Sequence, residues 1–216
     1  MVPTRKGLYG LYAITDSRWC PPDRLDLLAE LIRAAISGGA AIIQLREKSL
    51  SDQDLEPAAR LLKEICQQHG RLFIINDRVE LAAKIKAHGV HIGKDDIDFH
   101  QARKLIRDGI VGVSCYNSLE LAKRFQDLGA DYVAFGSIFP SPTKPDAVRA
   151  DLQLLSEARS VLNIPICAIG GITEENIHRV AAAGADMAAV ISGLWDCHEI
   201  TARARSLADA MKNRRE

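Results

Sequence analysis

The chain has 216 residues, 47% of them hydrophobic, which suits one α/β domain with a large core and exceeds a minimal module. Lys plus Arg equals Asp plus Glu at 28 each, so the formal charge is zero; this argues against a nucleic-acid surface, which needs a basic face. No window approaches the roughly 18–20 uninterrupted apolar residues of a membrane span, and no signal-type stretch follows Met1-Val2-Pro3-Thr4-Arg5-Lys6, so no membrane partner and a cytoplasmic location are expected.

Expected elements alternate along the chain. A strand over residues 9–14 comes first. A helix over 25–36 stops at Gly38-Gly39 before a strand over 40–45, and one over 55–68 stops at Gly70 before 72–75. The helix over 80–87 stops at Gly89 before 90–92, that over 99–107 at Gly109 before 110–113, and that over 119–128 at Gly129 before 131–135. Residues 152–162 run through Asn163 to a strand over 165–169; 176–183 stop at Gly184 before 187–191; a helix over 200–211 closes the series. Each Gly fits the left-handed position just past a helix end. Eight strands and eight helices in strict alternation predict a (β/α)8 TIM barrel, one domain over 1–216. An open doubly wound sheet shares the alternation, but no G-x-G-x-x-G follows the first strand.

Five cysteines (Cys20, Cys66, Cys115, Cys167, Cys197) form no C-x-x-C pair, which supports neither a disulfide framework nor a zinc site. Cys167, inside an apolar run, is expected to pack as a small hydrophobe. His91 lies within a strand and reads as a packed residue rather than a ligand. Trp195 either covers the mouth of the barrel or packs on the last helix.

Chemistry in a parallel barrel gathers at the carboxyl ends of its strands. Several apolar runs here end in polar residues. Gln44, Arg46 and Lys48 alternate, so period two puts an amide and two cations on one face, an anion site suited to phosphate oxygens; a solvated Arg46–Glu47–Lys48 cluster is the alternative. Asp77 and Asp96 follow adjacent strands and could share one hard cation such as magnesium, which takes one or two protein carboxylates. Asp77, Asp95 and Asp98 could equally be helix N-caps. Residues 137–150 form the longest irregular stretch, with prolines stiffening the segment around Ser141, Thr143 and Lys144, or simply a turn with an exposed Lys. Gly170-Gly171 and Ser192-Gly193 follow the last two strands, where such barrels often bind phosphate through backbone N–H groups.

With these motifs in order (Tyr12-Ala13-Ile14-Thr15-Asp16, QLREK at 44–48, INDR at 75–78, GVHIG at 89–93, Gly112-Val113-Ser114, Ala130-Asp131-Tyr132-Val133, the 139–144 loop, Ala168-Ile169-Gly170-Gly171-Ile172, Val190-Ile191-Ser192) the chain resembles the thiamine-phosphate synthase family, also called thiamine-phosphate pyrophosphorylase, along its whole length. The resemblance implies a (β/α)8 barrel that joins 4-amino-2-methyl-5-hydroxymethylpyrimidine diphosphate to 4-methyl-5-(2-phosphooxyethyl)thiazole, or its carboxylated form, releasing pyrophosphate. It implies that Gln44, Arg46, Lys48, Asn76, Ser114 and Lys144 hold the pyrimidine diphosphate, with Arg46, Lys48, Lys144 and Ser114 acting in catalysis. It implies Mg2+ on Asp77 and Asp96. It implies a thiazole phosphate held by Ser141, Thr143 and the backbone of Gly171 and Ile191-Ser192. Its partners would be these small molecules; a homodimer is a state the sequence leaves open.

The sequence departs from the family pattern at Lys94, where the family has Gln, and at Ser141, which keeps a hydroxyl. Asp95-Asp96 makes the metal ligand ambiguous, and family spacing favours Asp96. A thiazole tautomerase on the same barrel would need a proton-transfer residue, such as His, after the fifth strand, where Ser114-Cys115-Tyr116-Asn117 stands. A non-catalytic thiazole- or pyrimidine-phosphate-binding barrel is the remaining alternative.

Overall fold

The structure, a computed structural model, describes residues 7–93, 96–140 and 148–212. Among them the elements run β1 (Gly10–Ile14), α1 (Leu25–Gly38), β2 (Ile42–Leu45), α2 (Asp52–Gln68), β3 (Leu72–Asn76), α3 (Val79–Ile85), β4 (Gly89–Ile92), α4 (Phe99–Ile106), β5 (Ile110–Tyr116), α5 (Leu119–Asp127), β6 (Tyr132–Phe135), α6 (Leu152–Val161), β7 (Ile166–Ile169), α7 (Ile177–Ala182), β8 (Met187–Val190), α8 (Ser192–Trp195) and α9 (Ile200–Lys212). All eight strands pair in parallel in sequence order, and β8 returns to β1, closing a barrel. An open doubly wound sheet is thereby excluded. No helix among the described residues is long and apolar enough to cross a membrane.

The strands read as near-continuous apolar runs because both their faces are buried. Outward-facing Leu11, Ile43, Phe73, Val90, Val111 and Val133 join the helices in one core. Inward-facing Tyr12, Ile42, Ile74, Ile110, Tyr132, Cys167 and Met187 form a second cluster inside the barrel. Each such fully buried aliphatic side chain contributes about 1.5–3 kcal/mol. Above the apolar floor the registers Ile14 with Gln44, Asn76 with His91 and Ser114 with Ala134 put a polar band at the carboxyl-terminal end.

Three expectations are corrected. The helix over 55–68 starts earlier, at Asp52, because Ser51 Oγ caps it, accepting the Asp54 N–H at 3.2 Å. The fifth strand runs on to Tyr116 through a register shift between Ser114 and Tyr116. Gly39 does take the left-handed position after α1, but after α3 and α4 it is Lys86 and Arg107 that adopt positive φ, one residue past each helix. Gly89 and Gly109 serve close packing instead: a Cβ on Gly89 would lie 2.3 Å from the Ile110 carbonyl oxygen. A short helix, α8, also follows β8 directly, so the described residues hold nine helices where the alternation predicts eight.

Candidate active site at the barrel mouth

A cavity of about 440 Å³ opens at the carboxyl ends of the strands. Of the residues singled out in the sequence, Gln44, Arg46, Asn76, Ser114, Gly171, Ile191 and Ser192 line it together. They come from β2, β3, β5 and the segments after β7 and β8, so barrel closure alone brings them to one place. Ser141, Thr143 and Lys144, like Lys94 and Asp95, lie outside the described residues. The flanks of the 141–147 segment, Ser137 and Val148, both line the cavity, and the Ser137 N–H donates to the Val148 carbonyl at 2.7 Å.

Of the three residues that period two puts on one face, Gln44 and Arg46 line the cavity and Lys48 does not. Gln44 is buried within the barrel, Arg46 lines the cavity, and Lys48 reaches the rim. Glu47 turns the other way and is buried, accepting the Ser49 N–H at 2.6 Å, so no solvated Arg46–Glu47–Lys48 cluster forms. The end of β1 steadies the same segment: the Arg46 N–H donates to Thr15 Oγ1 at 2.9 Å. Next to it Asp16 is buried, and hydrogen bonds from Arg18, at 2.8 Å from its Nε, hold its carboxyl below the ordinary range.

At the rim Lys48 Nζ lies 2.6 Å from Asp77 Oδ2. Asp77 follows β3 with a positive φ of 63°. It does not cap α3, whose N-cap position is Arg78 and has no side-chain capping bond. Its carboxyl instead meets that of Asp96. Burial opposes charge on both groups. For Asp77 the hydrogen bonds with Asp96 and Lys48 outweigh it, and its carboxyl falls below the ordinary range. For Asp96 burial and the contact with Asp77 act together and push its carboxyl up. Asp96 is fixed in place by the Gly93 N–H at 2.6 Å. Asp98, by contrast, is a plain N-cap, accepting the His100 N–H at 2.9 Å.

Two carboxylates pressed together beside a lysine supply only hard oxygen donors, a set that fits magnesium. No group of three or more His, Cys, Asp or Glu side chains that could hold a metal occurs among the described residues; magnesium on one or two carboxylates ordinarily fills its shell with water and substrate.

Sequence reasoning missed several residues. Arg78 donates to the carbonyl oxygens of Glu47 (3.1 Å) and Leu50 (2.6 Å) and pairs with Asp52 at 2.6 Å, clamping the loop that carries Lys48. INDR contained that residue, but only its distance from the β2–α2 loop reveals the clamp. Tyr12, His91 and Tyr132 also line the cavity. His91 packs on Tyr132, with ring centroids 5.5 Å apart, as a packed histidine should, yet both its nitrogens are hydrogen-bonded and it faces the site. Cys115 is buried away from the cavity, its thiol pushed up to about 12 by burial. Cys167 packs inside the barrel as expected, its thiol raised by burial. Trp195 is buried beneath β1, its Nε1–H on the Ile14 carbonyl at 2.7 Å, and does not cover the mouth.

Comparison with known proteins points to one family. A family model described as thiamine monophosphate synthase matches residues 11–194. The chain is 49% identical over 209 residues to a thiamine-phosphate synthase of Thioalkalivibrio sulfidiphilus, covering 96% of this chain and 98% of the other. It is 45% identical over 213 residues to that of Wolinella succinogenes, covering 97% of each. Its fold superposes on a thiamine phosphate pyrophosphorylase structure from Pyrococcus furiosus with a TM-score of 0.87 and 31% identity, covering 96% and 98% of the two chains.

Proposed function

The chain belongs to the thiamine monophosphate synthase family, and we propose that the cavity at its barrel mouth is where that family's reaction takes place. The protein is a transferase that condenses the aminopyrimidine diphosphate with the thiazole phosphate to give thiamine phosphate and pyrophosphate. The observation that carries the site reading is the convergence of Gln44, Arg46, Asn76 and Ser114 on one cavity beside the Lys48–Asp77–Asp96 rim.

The chemistry asks little of a general base, because the thiazole nitrogen attacks with its own lone pair. The barrier lies in breaking the bond from the pyrimidine methylene carbon to the pyrophosphate oxygen. As that bond lengthens, positive charge grows on the methylene carbon, where the pyrimidine amino group donates electrons. Negative charge grows on the leaving oxygens. Arg46, bidentate and fixed through its backbone by Thr15, meets that charge from within the cavity. Asp77 and Asp96 would hold magnesium, which when bound supplies further positive charge beside the leaving group. Lys48, whose ammonium lies beside Asp77, is the second cation the chain itself offers to the diphosphate. Carried by the family resemblance, Lys144 adds a third cation, and Ser141 and Thr143, with the backbone of Gly171 and Ile191-Ser192, hold the thiazole phosphate. The apolar wall of Ile14, Ile169 and Ile191 limits water around the cationic carbon and so protects it from hydrolysis.

Pyrophosphate release measured with both substrates, with and without magnesium, tests this reading. Magnesium-dependent release that needs both substrates is expected. Tight binding of either substrate with no release would instead support a binding protein.

A further inference from the structure

Along the floor of the cavity five polar side chains from five strands, all of them lining it, form one unbroken hydrogen-bonded line. Gln44 Nε2 donates to the Tyr12 hydroxyl at 2.7 Å. The Tyr12 and Tyr132 hydroxyls are 2.9 Å apart. The Tyr132 hydroxyl is 2.9 Å from His91 Nδ1, and His91 Nε2 is 2.9 Å from Ser114 Oγ. Both ends, Gln44 and Ser114, open into the cavity. A polar chain inside an otherwise apolar barrel floor is costly unless every member is satisfied.

Counting hydrogens gives the line a direction. Burial raises both phenols, so each keeps its single hydrogen. Tyr12 accepts from Gln44, so its hydrogen goes to Tyr132. Tyr132 then passes its own hydrogen to His91 Nδ1. A neutral imidazole that accepts at Nδ1 carries its hydrogen on Nε2 and donates it to Ser114 Oγ. The Ser114 hydroxyl hydrogen is left for a ligand in the cavity. At the other end one Nε2 hydrogen of Gln44 goes to Tyr12, which fixes the amide's orientation with Oε1 as its acceptor and the second Nε2 hydrogen beside it.

We propose that Tyr12, Tyr132 and His91 are positioning residues that set Ser114 as a donor and Gln44 as an acceptor, and so select an amino-substituted pyrimidine over its oxo counterpart. This rests on the proposed function and deepens it. An aminopyrimidine presents an N–H donor and an adjacent ring-nitrogen lone pair. The oxo form inverts both, with a carbonyl in place of the amino group and an N–H in place of the lone pair. A site whose polar ends are fixed rejects the inverted pattern because its buried groups are left unpaired. Reversing the ends to suit the oxo ring requires all five groups to reverse together.

The test compares dissociation constants of the 4-amino and 4-oxo pyrimidine diphosphates, with no thiazole present, for the wild type, Tyr132→Phe and Tyr12→Phe. Inorganic pyrophosphate binding is measured alongside, and 15N NMR of the wild type reads the His91 tautomer. We expect the wild type to favour the amino form by about 100-fold or more, and each Phe variant to compress that preference by about tenfold with pyrophosphate binding unchanged. Two variants guard against one failing to fold. A preference unchanged in the folded variants, a wild type that binds both rings alike, or a hydrogen on Nδ1 of His91 would overturn the inference. The tautomer is read whether or not the protein turns over, and pyrophosphate release decides the proposed function separately.

Discussion

A Cβ built on Gly112 would lie 2.0 Å from Cζ of Tyr132. The missing side chain is therefore what lets that ring cross the barrel interior and join Tyr12 to His91. Gly112→Ala must displace the ring; overpacking of this kind costs about 1–3 kcal/mol, which lowers Tm by about 2–12 °C in a domain of this size. Because the displaced ring is the middle of the hydrogen-bonded line, kcat/KM should fall by about tenfold or more as well. Calorimetry and steady-state kinetics on the one variant check both. Arg46 is a different case, since it meets charge that develops only as the pyrophosphate departs. Arg46→Ala should lower kcat by a factor of about 10² or more, and Arg46→Lys should recover only part, because an ammonium cannot bind bidentately. A turnover near normal in Arg46→Ala would remove Arg46 from the mechanism. The two residues also differ in legibility. Arg46 could be read from QLREK, because period two assigns faces within one strand. Tyr12, His91 and Tyr132 lie on three strands far apart in sequence, and each alone reads as a packed aromatic. Only the closed register, with His91 opposite Gly112 and Gly112 opposite Tyr132, shows that they meet.

The elements are pinned at the opposite end by a device repeated at three strand pairs. At the start of β8, Asp186 Oδ2 accepts the Ile166 N–H of β7 at 2.9 Å and pairs with Arg159. Before β6, Asp131 Oδ2 accepts the Val111 N–H of β5 at 2.8 Å and pairs with Arg103. Before β4, His88 Nδ1 accepts the Phe73 N–H of β3 at 3.0 Å. Each acceptor extends a parallel ladder by one bond where the strands begin. Removing one leaves a strand N–H unpaired, so Asp131→Ala should cost about 1–3 kcal/mol by denaturant unfolding, with pyrophosphate release intact. His88 makes the third pin sensitive to pH. Burial, then the nearby Lys63, lowers its pKa below the ordinary 6.5, so the folded state holds fewer protons than the unfolded one. The pin is therefore fully present above pH 6.5 and lost as the pH falls through the lowered folded value. Unfolding free energy should decline over that acidic window in the wild type, and less steeply in His88→Asn. The Gly-Ala-Asp repeat at 129–131 and 184–186 is visible in the sequence. Its meaning is not, because the partner N–H belongs to the strand before and the arginine to the helix that precedes that strand. The Gly positions misled for a related reason: a glycine after a helix serves either left-handed backbone or close packing, and at Gly89 it is the packing.

For the whole molecule, these pins hold one end of the barrel and the charged groups occupy the other, the division expected of parallel barrels. That division allows the functional end to carry an arrangement unfavourable to the free protein. Asp77 and Asp96 face each other with burial opposing charge on both; among the described residues Lys48 pairs with Asp77 and the Gly93 N–H holds Asp96. Such a pair persists where binding a cation is the return for it. Asp96→Asn keeps an oxygen for the Gly93 N–H while removing one of the two carboxylates. The metal-free variant should therefore be at least as stable as the wild type. The wild type should gain stability from magnesium with inorganic pyrophosphate, about 2.7 kcal/mol when the ligand is at 100 times its Kd, and lose that gain on chelation. In Asp96→Asn the magnesium-dependent part of the gain should disappear, and pyrophosphate alone should shift both proteins equally. Thermal unfolding of the two proteins with pyrophosphate, with magnesium and with both measures each term. A variant that is less stable without metal yet keeps the full magnesium response would show that Asp96 is a loop anchor and that the cation is held elsewhere.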